Sequence, residues 1–305
     1  MLSPRRRLVL EECATVAEIT GEAEPRKTAS AARESAATTH GVLDPCAGRR
    51  HFTLTRRCPH PALAARIARH WTVRWDLRGR PSFTQEILPH PCVNVAFQDA
   101  RGGVFGMVSG RDARTLGGVG AAFGTKFRPG AFAAYSPLPA VDVLGQTITL
   151  ADGFGPDGAR LEREVVGLSE ADHYEAIERF LLDRLPDTDP TFELVSAVVD
   201  EMLRCPPNAR IDVLAAAHGV SVRSLQRAFR ALVGVGPKWV LQRHRMHEGA
   251  ERIATGEVED LTALALDLGF FDLAHFTRQF TAAMGEAPGR YARRCAAARI
   301  HTEAA

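Results

Sequence analysis

The 305-residue sequence predicts an α+β chain of two domains. A β-rich N-terminal domain, a small barrel or sandwich with a few helices, precedes an all-α C-terminal domain. Three observations predict this. Between about 58 and 185, glycine and aromatic residues punctuate short runs of β character. The segment Pro186-Asp187-Thr188-Asp189-Pro190 then places two prolines where no helix passes through. Beyond 191 the apolar spacing turns helical almost to the end, and one stretch of it occurs twice.

Composition narrows the class first. Hydrophobic residues make up 45% and charged residues 24% of the chain, the balance of an ordinary globular protein. The net charge of +2 excludes a uniformly basic nucleic-acid coat but leaves room for a local basic face. No uncharged apolar run approaches the roughly 20 residues needed to span a bilayer, so no membrane partner is expected. Leu8-Val9-Leu10, between Arg5-Arg6-Arg7 and Glu11-Glu12, is too short for an export signal. The cysteines at 13, 46, 58, 92, 205 and 295 lie far apart. Reduced thiols and a cytoplasmic location are expected.

Residues 1–50 read as an extension. No aromatic occurs before Phe52, and a tract such as Thr28 to Ala37 buries too little apolar surface to offset its ordering entropy. Residues 51–185 form the expected β-rich domain. Pro61 to Trp71 reads as a short amphipathic helix, with Leu63, Ile67 and His70 or Trp71 near one face. Strands are expected at Thr72–Trp75, Val93–Phe97, Gly103–Val108 and Gln146–Leu150. A helix follows at 169–184, with Ser169 as N-cap and Glu170 and Asp172 in its first turn.

Chemistry-bearing motifs are sparse in this half. Gly117 to Lys126 lacks both the Gly-x-Gly-x-x-Gly spacing and a Gly-Lys-Ser/Thr ending, and is read as turns between strands. Cys58-Pro59-His60 and His90-Pro91-Cys92 offer zinc-type ligands, but one intervening residue within each pair is too few. No metal or other cofactor is expected. Tyr135, Trp75, Phe105, Phe123 and Phe132 are the aromatic candidates for an apolar cavity or core. With no nucleophile elbow, His-Glu-x-x-His or paired acid and base, an enzyme is not expected. The rival is an enzyme or metal sensor whose C-terminal half only targets it to DNA.

The repeat lies in residues 191–297. Leu214 to Ser221, with Leu225-Gln226-Arg227-Ala228-Phe229, Gly234 and Pro237, matches Leu264 to Phe271, with Phe276-Thr277-Arg278-Gln279-Phe280, Gly285 and Pro288. The offset is 50 residues at the turn glycines and 51 in the tails. Each copy reads as a short inward-packed helix, a glycine in a left-handed cap, a capping Ser221 or Asp272, and an amphipathic second helix. That is a helix-turn-helix. Between 221 and 246 stand Arg223, Arg227, Arg230, Lys238, Arg243 and Arg245 with no acid, while Glu248, Glu251, Glu257, Glu259 and Asp260 follow. Such a basic cluster suits phosphate neutralisation.

On these motifs, residues 193 to about 294 resemble the DNA-binding domain of the AraC/XylS family. The resemblance covers both helix-turn-helix copies, the joining helix Pro237 to Met246, and the ending Gly269-Phe270, His275-Phe276, Arg278, Phe280, Gly285, Pro288 and Tyr291. It implies a transcription regulator whose two recognition helices enter successive major-groove segments. Arg223, Gln226 and Arg227 on the first helix, and Leu273, Ala274, His275 and Arg278 on the second, are then the base-reading candidates. Ser221, Arg230, Lys238 and Arg243 are the phosphate candidates. The segment Phe127-Arg128-Pro129-Gly130-Ala131-Phe132, with Trp71, Trp75, Leu88-Pro89, Cys92-Val93, Val95 and Phe97, resembles an uncharacterised sensor-type domain found before some such DNA readers. The expected partners are promoter or operator double-stranded DNA, a small-molecule effector, RNA polymerase and a second copy of the chain.

Overall fold

The computed structural model describes residues 41–99, 101–165, 167–187, 189–204 and 209–303. Most of the expected extension lies outside them. Residues 41–50 do not belong to an extension: Leu43 and Asp44 are buried, and helix α1 (Pro45–Gly48) follows them. Leu43 packs into the core of the C-terminal half, an apolar contact that composition does not reveal.

The N-terminal half is built on a six-stranded antiparallel sheet. Its strands are β1 (Thr53–Arg57), β2 (Ile67–Asp76), β7 (Val119–Phe127), β4 (Asn94–Gln98), β5 (Arg101–Phe105) and β8 (Thr147–Ile148), in that spatial order. A two-stranded ribbon of β3 (Phe83–Ile87) and β6 (Asp112–Leu116) accompanies it. The result is a small sandwich. Its thin side is the cluster Trp75, Leu77 and Leu116, with Phe83 against it.

The other face of the sheet carries the main core. Side chains alternate across strands, so His70 and Thr72 of β2, Phe123 and Thr125 of β7, and Val95 and Phe97 of β4 point one way and are buried. Three helices pack on this face: α3 (Leu150–Phe154), α4 (Pro156–Val165) and α5 (Glu170–Leu182). Ser169 caps α5, accepting from the Asp172 amide. A buried polar chain ties α5 to the sheet: His70 bonds Thr125 Oγ1 at 2.8 Å and Glu178 Oε1 at 3.1 Å. Thr72 Oγ1 and Tyr174 Oη lie 2.6 Å apart.

Two expectations are corrected here. The helix from Pro61 to Trp71 is only a 3₁₀ turn at Pro61–Leu63, and the chain is strand from Ile67 onward. Leu63, Ile67 and Trp71 are spaced like a helix face, but β2 pairs with β1 and β7 on its two edges, and that ladder outweighs the local spacing. The glycine-rich stretch after Gly118 is not a series of turns but the central strand β7. Gly120 and Gly124 lie under the indoles of Trp75 and Trp71, where a Cβ would collide with the rings.

Lys126 of β7 is buried beside Cys92, with Arg69 and Arg56 nearby. Burial, with those two arginines adding to it, pushes its ammonium down to about 7. In the unfolded chain the amine titrates near 10.4. The unfolded state therefore binds more protons between pH 7 and 10, and stability rises with pH across that window. Lys126→Met is accordingly expected to raise the melting temperature at pH 6, with a gain that shrinks as pH approaches 10. A gain independent of pH in thermal melts would show that Lys126 carries no such cost.

The C-terminal half has seven helices among the described residues: α6 (Pro190–Arg204), α7 (Ile211–Ala217), α8 (Val222–Leu232), α9 (Pro237–Thr255), α10 (Leu261–Asp267), α11 (Leu273–Met284) and α12 (Pro288–Glu303). They bury two separate cores. One gathers Val195, Val198, Leu214, Leu225, Phe229 and Leu241. The other gathers Met246, Leu264, Phe276, Phe280 and Tyr291. Helix α9 contributes to both. Among the described residues, no helix is long and apolar enough to cross a membrane.

The thiols also differ from expectation. Cys46, Cys92 and Cys295 are free, but Cys58 is disulfide-bonded. Separation along the sequence does not reveal which cysteines the fold brings together.

Candidate nucleic-acid interface

Each C-terminal core supports one helix-turn-helix. Helix α7 ends and the chain reverses at Gly219 with φ +67°. Helix α10 does the same at Gly269 with φ +76°. Both are left-handed positions that a side chain strains. The next helix is capped in each copy: Ser221 Oγ accepts from the Ser224 amide at 3.1 Å, and Asp272 Oδ1 accepts from the His275 amide at 2.6 Å.

Helix α8 turns Leu225, Ala228 and Phe229 inward. Arg223, Gln226, Arg227 and Arg230 are exposed, and spacings of three and four place them along one outward stripe. No acid stands in its first turn, and the N-terminal amides add partial positive charge at that end. Lys238, at the start of α9, is also exposed. This surface can take phosphates at its edges and base edges at its centre.

Helix α11 is poorer in such groups. Ala274 and Arg278 are exposed. Leu273 packs against the core, and His275 sets its ring edge-on to Phe270 at 5.3 Å. At its N-terminus Asp272 carries the negative charge that Ser221 lacks. The 51-residue offset maps Gln226 onto Thr277 and Arg230 onto Thr281. Thr281 is exposed and Thr277 partly so. These two belong to the outward surface of α11, and the repeat offset alone points to them.

Helix α9 sets the distance between the two units. Its 19 residues span about 28 Å and contribute side chains to both cores. Gln242 Nε2 donates to Gln279 Oε1 at 2.9 Å, locking α9 to α11. Arg245 donates to the Ala209 carbonyl at 3.1 Å and lies over the Phe270 ring.

Arg243, expected at a phosphate, is a correction. Its guanidinium is buried, donates to the Ser109 carbonyl in the loop after β5, and stacks over Trp239 at 4.6 Å. Burial pushes it down to about 10, so it stays charged at neutral pH. The basic cluster thus resolves into four exposed residues (223, 227, 230 and 238) and two engaged within the protein. Arg243 belongs to a seam between the halves that also stacks His90 on His247 at 3.9 Å and joins Arg294 to Asp44 at 3.3 Å. Arg243→Ala is expected to cost about 1–3 kcal/mol of stability, as loss of a buried charged hydrogen bond does, while DNA affinity changes less than for Arg227→Ala. Chemical denaturation beside a DNA titration checks both. A larger loss of DNA affinity would return Arg243 to the interface.

The remaining candidates are dispersed. His60 Nδ1 accepts from the Ala62 amide, Cys58 is in its disulfide, His90 faces His247 and Cys92 is buried. Among the described residues no group of three or more His, Cys, Asp or Glu could hold a metal ion. Of the aromatic candidates, Phe123, Phe132 and Tyr135 join the main core, while Trp75 lies on the opposite face of the sheet.

Comparison with known proteins follows this division. Residues 214–294 match the model of a helix-turn-helix domain. Residues 55–149 match a domain of unknown function, DUF6597. The XylDLEGF operon transcriptional activator of Pseudomonas putida is 29% identical over 109 residues, 35% of this chain and 33% of that protein. The XylDLEGF operon transcriptional activator 1 of the same species is 30% identical over 108 residues, 35% of this chain and 32% of that protein. The chain thus matches about a third of the length of these relatives. Solved structures of ToxT from Vibrio cholerae align at 12–13% identity with TM-scores of 0.38 and 0.36, covering 79–80% of this chain and 97–98% of theirs.

Proposed function

We propose that this chain, which carries an AraC-type helix-turn-helix domain behind a domain of unknown function, is a sequence-specific DNA-binding transcription regulator. In this reading residues 191–297 read DNA, residues 51–185 modulate that activity, and the protein works in the cytoplasm. The observation that carries it is the outward stripe Arg223, Gln226, Arg227 and Arg230 on a capped helix, repeated one linker helix away in poorer form on α11. Arg223 and Arg227 suit guanine and Gln226 adenine. Arg230 and Lys238 suit phosphates, and Ser221 presents the helix N-terminus to one.

The two units divide the work. The first supplies base discrimination. The second, through Ala274, Thr277, Arg278 and Thr281, adds mainly affinity. The reading also includes RNA polymerase and a second copy of the chain as partners. DNase footprinting on the region upstream of the chain's own gene tests it: protection expected at a defined site, resistant to competitor DNA. Binding abolished equally by any competitor sequence would reduce the protein to a non-specific binder. Sedimentation with and without that site distinguishes one bound copy from two.

A further inference from the structure

The two helix-turn-helix copies make the same hydrogen bonds in the same order. At the reversal, the Gly219 amide donates to the Ala216 carbonyl at 3.0 Å, and the Gly269 amide to that of Leu266 at 2.9 Å. One residue on, the Val220 amide donates to Ala215 at 3.0 Å and the Phe270 amide to Ala265 at 2.9 Å. At the next helix start, the Ser221 and Asp272 side chains cap the amides of Ser224 and His275. The amides of Leu225 and Phe276 then donate to the carbonyls of Ser221 and Asp272. The offset is 50 residues up to Val220 and Phe270, and 51 from Ser221 and Asp272 onward. The residue added to the second copy is therefore Phe271.

Its side chain is 87% exposed, more than any other large apolar residue among those described. A single apolar side chain on a surface needs no explanation by itself. Phe271 differs in its place. It directly precedes the N-cap of α11, the end from which a recognition helix meets base edges. Its backbone is held on both sides, by Phe270 in the core and by the Asp272 cap. The ring thus projects from a fixed point on the surface that carries Ala274 and Arg278.

The neighbouring groups narrow what it can meet. Where the first copy has Ser221 and Arg223, the second has Asp272 and Ala274. The Asp272 carboxylate repels a phosphate. A phenyl ring set against a phosphate would strip its water and return no hydrogen bond. Ring and Ala274 methyl are both exposed, and both suit an apolar partner. In the major groove that partner is the C5-methyl group of thymine, the one apolar feature among the base edges.

We propose that Phe271 is a specificity residue of the second unit, its ring entering the major groove ahead of Ala274 and packing on a thymine methyl. The contact gives the second unit a base preference that its few polar groups do not supply. The inference rests on the DNA-reading function proposed above.

The test is fluorescence-anisotropy titration of the full chain on its footprinted operator. Thymines in the segment whose protection Arg278→Ala weakens are replaced one at a time by deoxyuridine. That base keeps every hydrogen-bonding group and lacks only the methyl. For the wild type, one replacement is expected to weaken binding about fourfold, the worth of one buried methyl. Phe271→Ala should weaken binding to the natural operator by at least that factor, and the same deoxyuridine should then cost nothing further. Its melting temperature should equal that of the wild type, because the ring is exposed. A lowered melting temperature would show the ring packed within the protein and overturn the contact. So would unchanged operator affinity in Phe271→Ala, or a deoxyuridine cost equal in both proteins. Loss of promoter activity at unchanged operator affinity would assign the ring to a protein partner instead. A chain with no defined footprint overturns the DNA-reading function and this inference with it. A defined footprint with additive losses overturns only the role of Phe271.

Discussion

Phe276→Ala is expected to lower the stability of the C-terminal half by about 3–5 kcal/mol. Its ring is fully buried and touches two others, Phe270 and Phe280, with centroids 5.3 Å away in each case. Phe280 in turn meets Tyr291 at 5.7 Å. Truncation removes the ring from this stack and leaves a cavity that rigid helices close only in part. Gly249 of α9 also lies against the Phe276 side chain, so the loss reaches the linker helix. Urea denaturation should show a lower midpoint, and the second unit should lose its contribution to DNA affinity. A loss below 1 kcal/mol would mean that the second unit tolerates collapse and is not the packed body described above.

The second large effect is on DNA itself. Arg227→Ala should cost about 1–3 kcal/mol at the cognate site and relax the base preference at one position. Arg227 is exposed midway along the α8 stripe, a turn after Arg223 and next to Gln226. Its removal leaves the inward residues of α8 untouched, so folding is preserved. Competition against single-base variants of the site is the check. A uniform loss across every sequence, with the salt slope reduced by about one, would make Arg227 a phosphate contact.

The C-terminal half was legible because its signals are local. Gly219, Gly269, Ser221, Asp272, Pro237 and Pro288 each act on their own few residues, and the structure uses each in its expected role. The N-terminal half depends on pairing over long separations. Nothing near Gly120 and Gly124 announces a central strand, because two distant indoles supply the reason for those glycines. Nothing near Pro61 separates helix from strand, because the deciding partners are β1 and β7. The ribbon β3–β6 was invisible for the same reason: Thr84, Gln85, Arg114 and Thr115 mix polar and charged groups without a clean alternation. Helices α3 and α4 were hidden by Gly153, Gly155, Pro156 and Gly158. Gly158 instead lets α4 approach the Leu150 carbonyl, where a Cβ would clash.

The interface was partly legible. Charge counting found the basic segment 221–246 but not which of its members face outward. Helix periodicity settles that within α8, where 223, 226, 227 and 230 share a stripe. It does not settle it for Arg243, whose partner is a carbonyl 134 residues away in sequence.

The central claim is that two unequal helix-turn-helix units read one face of DNA. Hydroxyl-radical footprinting of the full chain on its operator tests it most directly. Two protected segments about one helical turn apart are expected, with Arg227→Ala weakening protection at one and Arg278→Ala at the other. A single protected segment, or protection that moves freely with DNA sequence, would contradict it.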